Sequence, residues 1–141
     1  VKYPIYSDED AGKREADYNE IRLAEIYYSL AECKFKANDV DGAAKLLNAV
    51  RKRNYPQDTW AEYLYKPEGT VTLTQDELYD EWGREFLAEG RRRTDLIRWG
   101  LYCTEEWWDK KPDADSHWDI FPIPRDMMGA DHTLKQNPGY N

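Results

Sequence analysis

"RLAEIYYSLAECKFKANDVDGAAKLLNAVRKR", residues 22–53, decides the architecture of this chain. Leu23, Ile26, Tyr27, Leu30 and Ala31 recur at three- and four-residue steps, the period of an amphipathic helix running from Asn19 through about Lys36. Asn38-Asp39 then supplies a stop and a fresh N-cap. Val40, Ala43, Ala44, Leu47 and Val50 form the stripe of a second helix that ends near Arg53, ahead of Pro56. A linker of a few residues makes the two helices pack antiparallel as a hairpin. Ala31 and Ala43 allow close approach of the two backbones, which is the spacing of a tetratricopeptide-type repeat. A lone repeat of this kind cannot bury its own outer face. Either the remaining helices complete the stack, or part of it lies on chain beyond these residues.

Outside the hairpin the pattern loosens. Residues 1–18 are polar, contain Tyr and Pro, and read as an opening loop. Residues 54–73 have no helical period and are rich in aromatics, so they read as a long surface loop of the kind that often carries function. Thr74-Gln75-Asp76-Glu77 is a capping box that opens a third helix with Leu78, Trp82 and Phe86 on one face. Gly90 bends or ends it, and a short continuation stops at Gly100. In Phe121-Pro122-Ile123-Pro124 each proline keeps its predecessor extended, and Pro124 can open a short helical turn through Met128. The expected fold is all-α: a tetratricopeptide-like helical repeat scaffold with long irregular loops. It is one domain over 1–141, with a helical core at 19–100 and a loop-rich tail at 101–141.

The 141 residues carry a net charge of −8, which argues against a nucleic-acid or anionic-membrane partner. No run of about 18 apolar residues is present to span a bilayer. Cys33 and Cys103 lack metal-ligand spacing and read as two free thiols, with one disulfide as the alternative. His117 and His132 stand alone, no GxSxG elbow or Gly-rich phosphate loop occurs, and no cofactor is expected.

Charge is concentrated between Asp80 and Trp99, where Arg84, Arg91, Arg92, Arg93 and Arg98 face Asp80, Glu81, Glu85, Glu89 and Asp95. Five against five leaves no net field, which disfavours an anion patch. Glu81, Glu85 and Glu89 repeat every four residues, and a continued helix would bring Arg92 and Arg93 within a turn of Glu89. Asp95 lies four residues after Arg91 and three before Arg98. The reading is a structural ion network of Arg22, Glu85, Glu89, Arg92, Asp95 and Arg98, holding the third helix to the hairpin, with Arg93 its least committed neighbour. Neutralised carboxylates suit pairing better than proton donation, so no catalytic residue is assigned.

Rings make up 14% of the chain, more than a small helical core requires. Sugar rings present apolar C–H faces that stack on indole and phenol rings, while their hydroxyls bond polar neighbours. Trp60, Tyr63 and Tyr65, interleaved with Asp58, Glu62 and Lys66, form one candidate platform; Trp107, Trp108 and Trp118 form a second. The alternative is that these rings plug helix–loop junctions.

Five stretches taken together resemble the C-terminal region of the SusD/RagB family of outer-membrane nutrient-binding lipoproteins. They are "RLAEIYYSLAE" (22–32), "LLNAVRKR" (46–53), "EWGREFLAEGRRRTDLIRWG" (81–100), "FPIP" (121–124) and "QNPGY" (136–140), in that order. The resemblance implies a chain several times longer, surface-anchored by a lipidated cysteine and capped over a SusC-like TonB-dependent transporter. It implies binding of glycan or another nutrient, without catalysis, at the cell outer membrane. Protein-interaction scaffold and glycan-active enzyme are the rival readings. Trp82 stands where the family commonly has Arg.

Overall fold

A computed structural model describes residues 19–140, so the opening loop expected over 1–18 lies outside the described residues. The described chain is helical, with no strand and two isolated bridges, Tyr65 with Val71 and Trp107 with Lys110. It divides between Tyr79 and Asp80 into two compact units, each described by itself.

In the first unit, α1 (Leu23–Lys36) and α2 (Val40–Arg51) form the expected hairpin. Asn38 takes positive φ at the reversal, and Asp39 caps α2 by accepting the Gly42 N–H at 2.9 Å. Lys34 pairs with the same carboxylate, and the ammonium and amide together hold the Asp39 pKa below its usual range. Ala31, Ala43, Ala44 and Leu47 are fully buried where the helices meet. The buried column of α1 is Ala24, Tyr28, Ala31 and Glu32, which shares Ala31 with the expected stripe and otherwise lies one step round from it. Leu23, Ile26 and Leu30 are exposed, by 69%, 55% and 48%. Two adjacent columns of α1 are apolar, and the one that carries Ala24 and Tyr28 is buried.

After α2 the chain makes short turns at Lys52–Asn54 and Gln57–Thr59 and a single helical turn, α3 (Trp60–Tyr63). The loop that follows is built tightly onto α2. Gly69 has no room for a side chain, since a Cβ there would sit 2.2 Å from the Leu64 carbonyl oxygen. Helix α4 (Gln75–Glu85) opens where the capping box predicts, with the Glu77 N–H donating to the Thr74 hydroxyl at 3.2 Å. Leu78, Trp82 and Phe86 are buried as expected.

The second unit corrects the reach of that helix. α4 ends at Glu85, and residues 86–90 form turns in which Ala88 and Gly90 both take positive φ. Glu89 is therefore out of helical register with Arg92. Helix α5 (Arg92–Arg98) follows, then an irregular stretch with a short turn at His117–Asp119, and α6 (Arg125–Ala130) begins directly after Pro124. Pro122 and Pro124 precede α6 in the extended segment, and the tail folds back on it: Gln136 accepts the Ile123 N–H at 2.7 Å and donates to its carbonyl at 2.9 Å. Asn137 donates to the Phe121 carbonyl, and the Tyr140 hydroxyl to that of Ile120, each at 2.8 Å.

Candidate functional site

The aromatic loop 54–73 hangs from α2. Asn48, fully buried among the apolar residues of that helix, accepts the Tyr65 N–H at 2.9 Å and donates to the Tyr65 carbonyl at 2.8 Å. Arg51 reaches the Tyr63 carbonyl at 2.7 Å and the Tyr65 hydroxyl at 3.1 Å, and its guanidinium lies 4.5 Å from the Tyr65 ring centre. The Tyr65 hydroxyl in turn donates to Glu77 at 2.8 Å. Lys52 holds Glu68 outside this cluster and keeps its pKa low, with help from the Asn48 amide.

This wiring places the rings of the first platform one by one. Tyr65 is fully buried and is withdrawn from the binding set: its ring faces Arg51 and its hydroxyl bridges to α4. Trp60 donates its indole N–H to the Tyr55 carbonyl, and the Lys52 ammonium covers its ring at 4.9 Å. Tyr63 stacks on Tyr55 with centres 4.8 Å apart, and Glu62 pushes its hydroxyl pKa up. Trp60 and Tyr63 keep some exposed surface, but each already has a structural partner.

In the second unit the ion network centres on Asp95, which is buried. Its carboxylate accepts Arg98 Nε at 2.9 Å and stands 4.0 Å from Arg91 Nε. Both guanidiniums lie over Trp82, at 5.0 and 5.6 Å, and Arg98 also covers Trp99 at 4.5 Å. One carboxylate thus holds two cations against one indole. Glu81 binds Arg84 at 2.9 Å, and Glu85 is buried nearby on the same helix. Arg92 pairs with Asp80 at 3.7 Å, across the turn that removes Glu89 from its expected place. Arg22 belongs to the other unit, at the N-cap of α1.

Arg93 is the residue that the spacing left unplaced. It donates to the Trp118 carbonyl at 2.6 Å, and its guanidinium lies 3.9 Å from the Phe121 ring and 5.0 Å from that of Tyr102. It anchors the tail. An open groove of about 630 Å³ beside these arginines is lined by Phe86, Leu87 and Ala88 together with Arg84, Arg92 and Arg93. All three of these guanidiniums have partners, which weakens the groove as an anion clamp.

Of the second platform, Trp118 is half exposed and packed by His117 at 4.5 Å and Tyr140 at 5.9 Å. Trp107 is half-buried beneath Lys110, whose ammonium lies 5.3 Å from the ring. Trp108 is 95% exposed. Both cysteines are free; Cys103 is buried against Asp119, and desolvation with that carboxylate pushes its pKa up to about 11. Among the described residues no group of three or more His, Cys, Asp or Glu gathers as a metal site, and no helix is long and apolar enough to cross a membrane.

A tetratricopeptide-like helical scaffold carrying pinned aromatic loops defines the class of this protein. The model of the SusD family matches residues 2–140, and the chain belongs to that family. It is 35% identical over 157 aligned residues to the starch-binding protein SusD of Bacteroides thetaiotaomicron, covering 99% of this chain and 25% of that protein. It is 36% identical over 81 residues to SusD-like protein P25 of Formosa agariphila, covering 57% of this chain and 15% of that one. Among solved structures it resembles a candidate sugar binding protein from Bacteroides vulgatus, with TM-score 0.70 and 30% identity over 93% of this chain and 31% of the other. A SusD-like protein from Bacteroides fragilis gives TM-score 0.57 and 25% identity, covering 85% of this chain and 25% of the other. The chain thus spans about a quarter of the curated relative that it matches along its whole length.

Proposed function

We propose that the protein binds oligosaccharide, or another nutrient, at the outer-membrane surface and passes it unaltered to a SusC-like TonB-dependent transporter. The observation that carries this reading is the 35% identity, over nearly the whole chain, to a starch-binding protein. The pairing of Glu81 with Arg84 and of Asp95 with Arg98 supports a scaffold role for the carboxylates that an enzyme would otherwise need free. Trp60, Tyr63, Trp107, Trp108 and Trp118 remain the candidate sugar contacts. The rest of a longer chain of the relatives' kind completes the site.

The test is calorimetric titration of the longest natural chain containing these residues with malto-oligosaccharides and a wider sugar panel, followed by chromatography of the recovered sugar. Saturable binding with intact sugar is expected. No binding across the panel overturns the reading, and shortened products replace it with a glycan-active enzyme. A second reading has one observation behind it: the exposed column Leu23, Ile26 and Leu30 on α1 suits a repeat scaffold that grips a peptide or transporter loop.

A further inference from the structure

Five of the six candidate rings are already engaged: one is fully buried, two are partnered within the loop after α2, one lies under an ammonium and one is packed by the tail. Trp108 differs. Trp107 and Lys110 exchange both backbone hydrogen bonds, each at 3.0 Å, which closes a tight two-residue turn with Trp108 and Asp109 at its tip. Three contacts brace the base of the turn. Lys110 binds Asp113 at 2.8 Å, Lys111 binds Glu106, and the Asp113 N–H donates to the Cys103 carbonyl at 2.8 Å. A large apolar side chain thus stands exposed among the described residues on a hydrogen-bonded turn, whose ordered backbone lowers part of the ordering cost of binding.

Resting on the glycan-binding reading above, we propose that Trp108 is the stacking platform of the site and that its ligand is a neutral pyranose. Stacking needs an open ring face on a positioned backbone, and Trp108 supplies both. The charge of the segment selects the sugar. Glu105, Glu106, Asp109 and Asp113 oppose only Lys110 and Lys111, whose ammoniums are spent on Asp113 and Glu106. The carboxylates of Glu105 and Asp109 are left to accept hydroxyl donors, and the segment repels uronic or sulfated sugars. The net charge of −8 acts in the same direction at longer range.

The experiment titrates the longest natural chain, as wild type, W108A and W108F, with malto-oligosaccharides, other neutral oligosaccharides and an oligouronate. Neutral-sugar Kd should rise about tenfold or more in W108A, as for truncation of a tryptophan anchor. Most of the affinity should return in W108F, with the melting temperature unchanged in both. Wild-type affinity in W108A, or a preference of the wild type for the oligouronate, overturns the inference while leaving glycan binding intact. A wild type that binds no sugar in the panel overturns both.

Discussion

Replacing Asn48 with Ala tests how the aromatic loop is held. The substitution removes two hydrogen bonds to the Tyr65 backbone, and their loss is unequal. The Tyr65 carbonyl also accepts from the Glu68 and Gly69 N–H groups, at 3.2 and 3.1 Å, so it stays satisfied. The Tyr65 N–H loses the Asn48 oxygen inside a residue that is fully buried. A buried donor stripped of its acceptor costs about 1–3 kcal/mol, and the small void left by the amide adds a fraction more. The expected destabilisation is about 2–3 kcal/mol, a large share of the roughly 5–15 kcal/mol of a whole domain. Urea unfolding measures the magnitude, and amide exchange at Tyr65 locates it. Lys52→Ala, which removes the part-exposed partner of Glu68, is the contrast and should cost no more than about 1 kcal/mol. A loss below about 0.5 kcal/mol in Asn48→Ala, with Tyr65 exchange unchanged, would show that Asn48 does not hold the loop.

Three further outcomes follow from local geometry. Gly139→Ala should release the tail, because φ is +87° there and the new Cβ would lie 2.5 Å from His117 Cβ; faster amide exchange over residues 117–140 is the readout. Ala31→Leu should destabilise the hairpin by about 1–3 kcal/mol in thermal unfolding, since the residue is fully buried between α1 and α2. At pH 8 a thiol-alkylating reagent should modify exposed Cys33 and spare Cys103 until the protein is denatured. The sign for Cys103 is that of an acid whose folded pKa is raised: its contribution to stability is complete below the ordinary thiol value near 9 and is lost as pH rises from there through about 11.

The helices, the Asp39 cap and the start of α4 were legible because periodicity and cap chemistry are local properties of sequence. The inward face of α1 was not. Leu23, Ile26 and Leu30 make as good a stripe as Ala24, Tyr28 and Ala31, and only tertiary packing decides between them. The early end of α4 was hidden because Ala88 sits at positive φ, against the strong helix preference of alanine. The two amide clasps, Asn48 on Tyr65 and Gln136 on Ile123, join residues 17 and 13 positions apart, and a lone Asn or Gln gives no local sign of such a partner. For the site, sequence composition gathered six rings without ranking them. Burial and turn geometry rank them, because both depend on contacts that a linear pattern does not contain.

The cluster around Asp95 is scaffold, and the proposed ligand is held elsewhere, on loops. The most direct test is the melting temperature of wild type and Asp95→Asn, each with and without a saturating oligosaccharide found in the panel. The substitution keeps the shape of the side chain but removes the charge that fixes Arg91 and Arg98 over Trp82. With both arginines partly exposed, the loss should be on the order of 2 kcal/mol, below that of a fully buried pair. The predicted result is a lower melting temperature without sugar and an undiminished rise on adding it. An unchanged melting temperature together with loss of the sugar-induced rise would instead place the ligand on the arginine cluster.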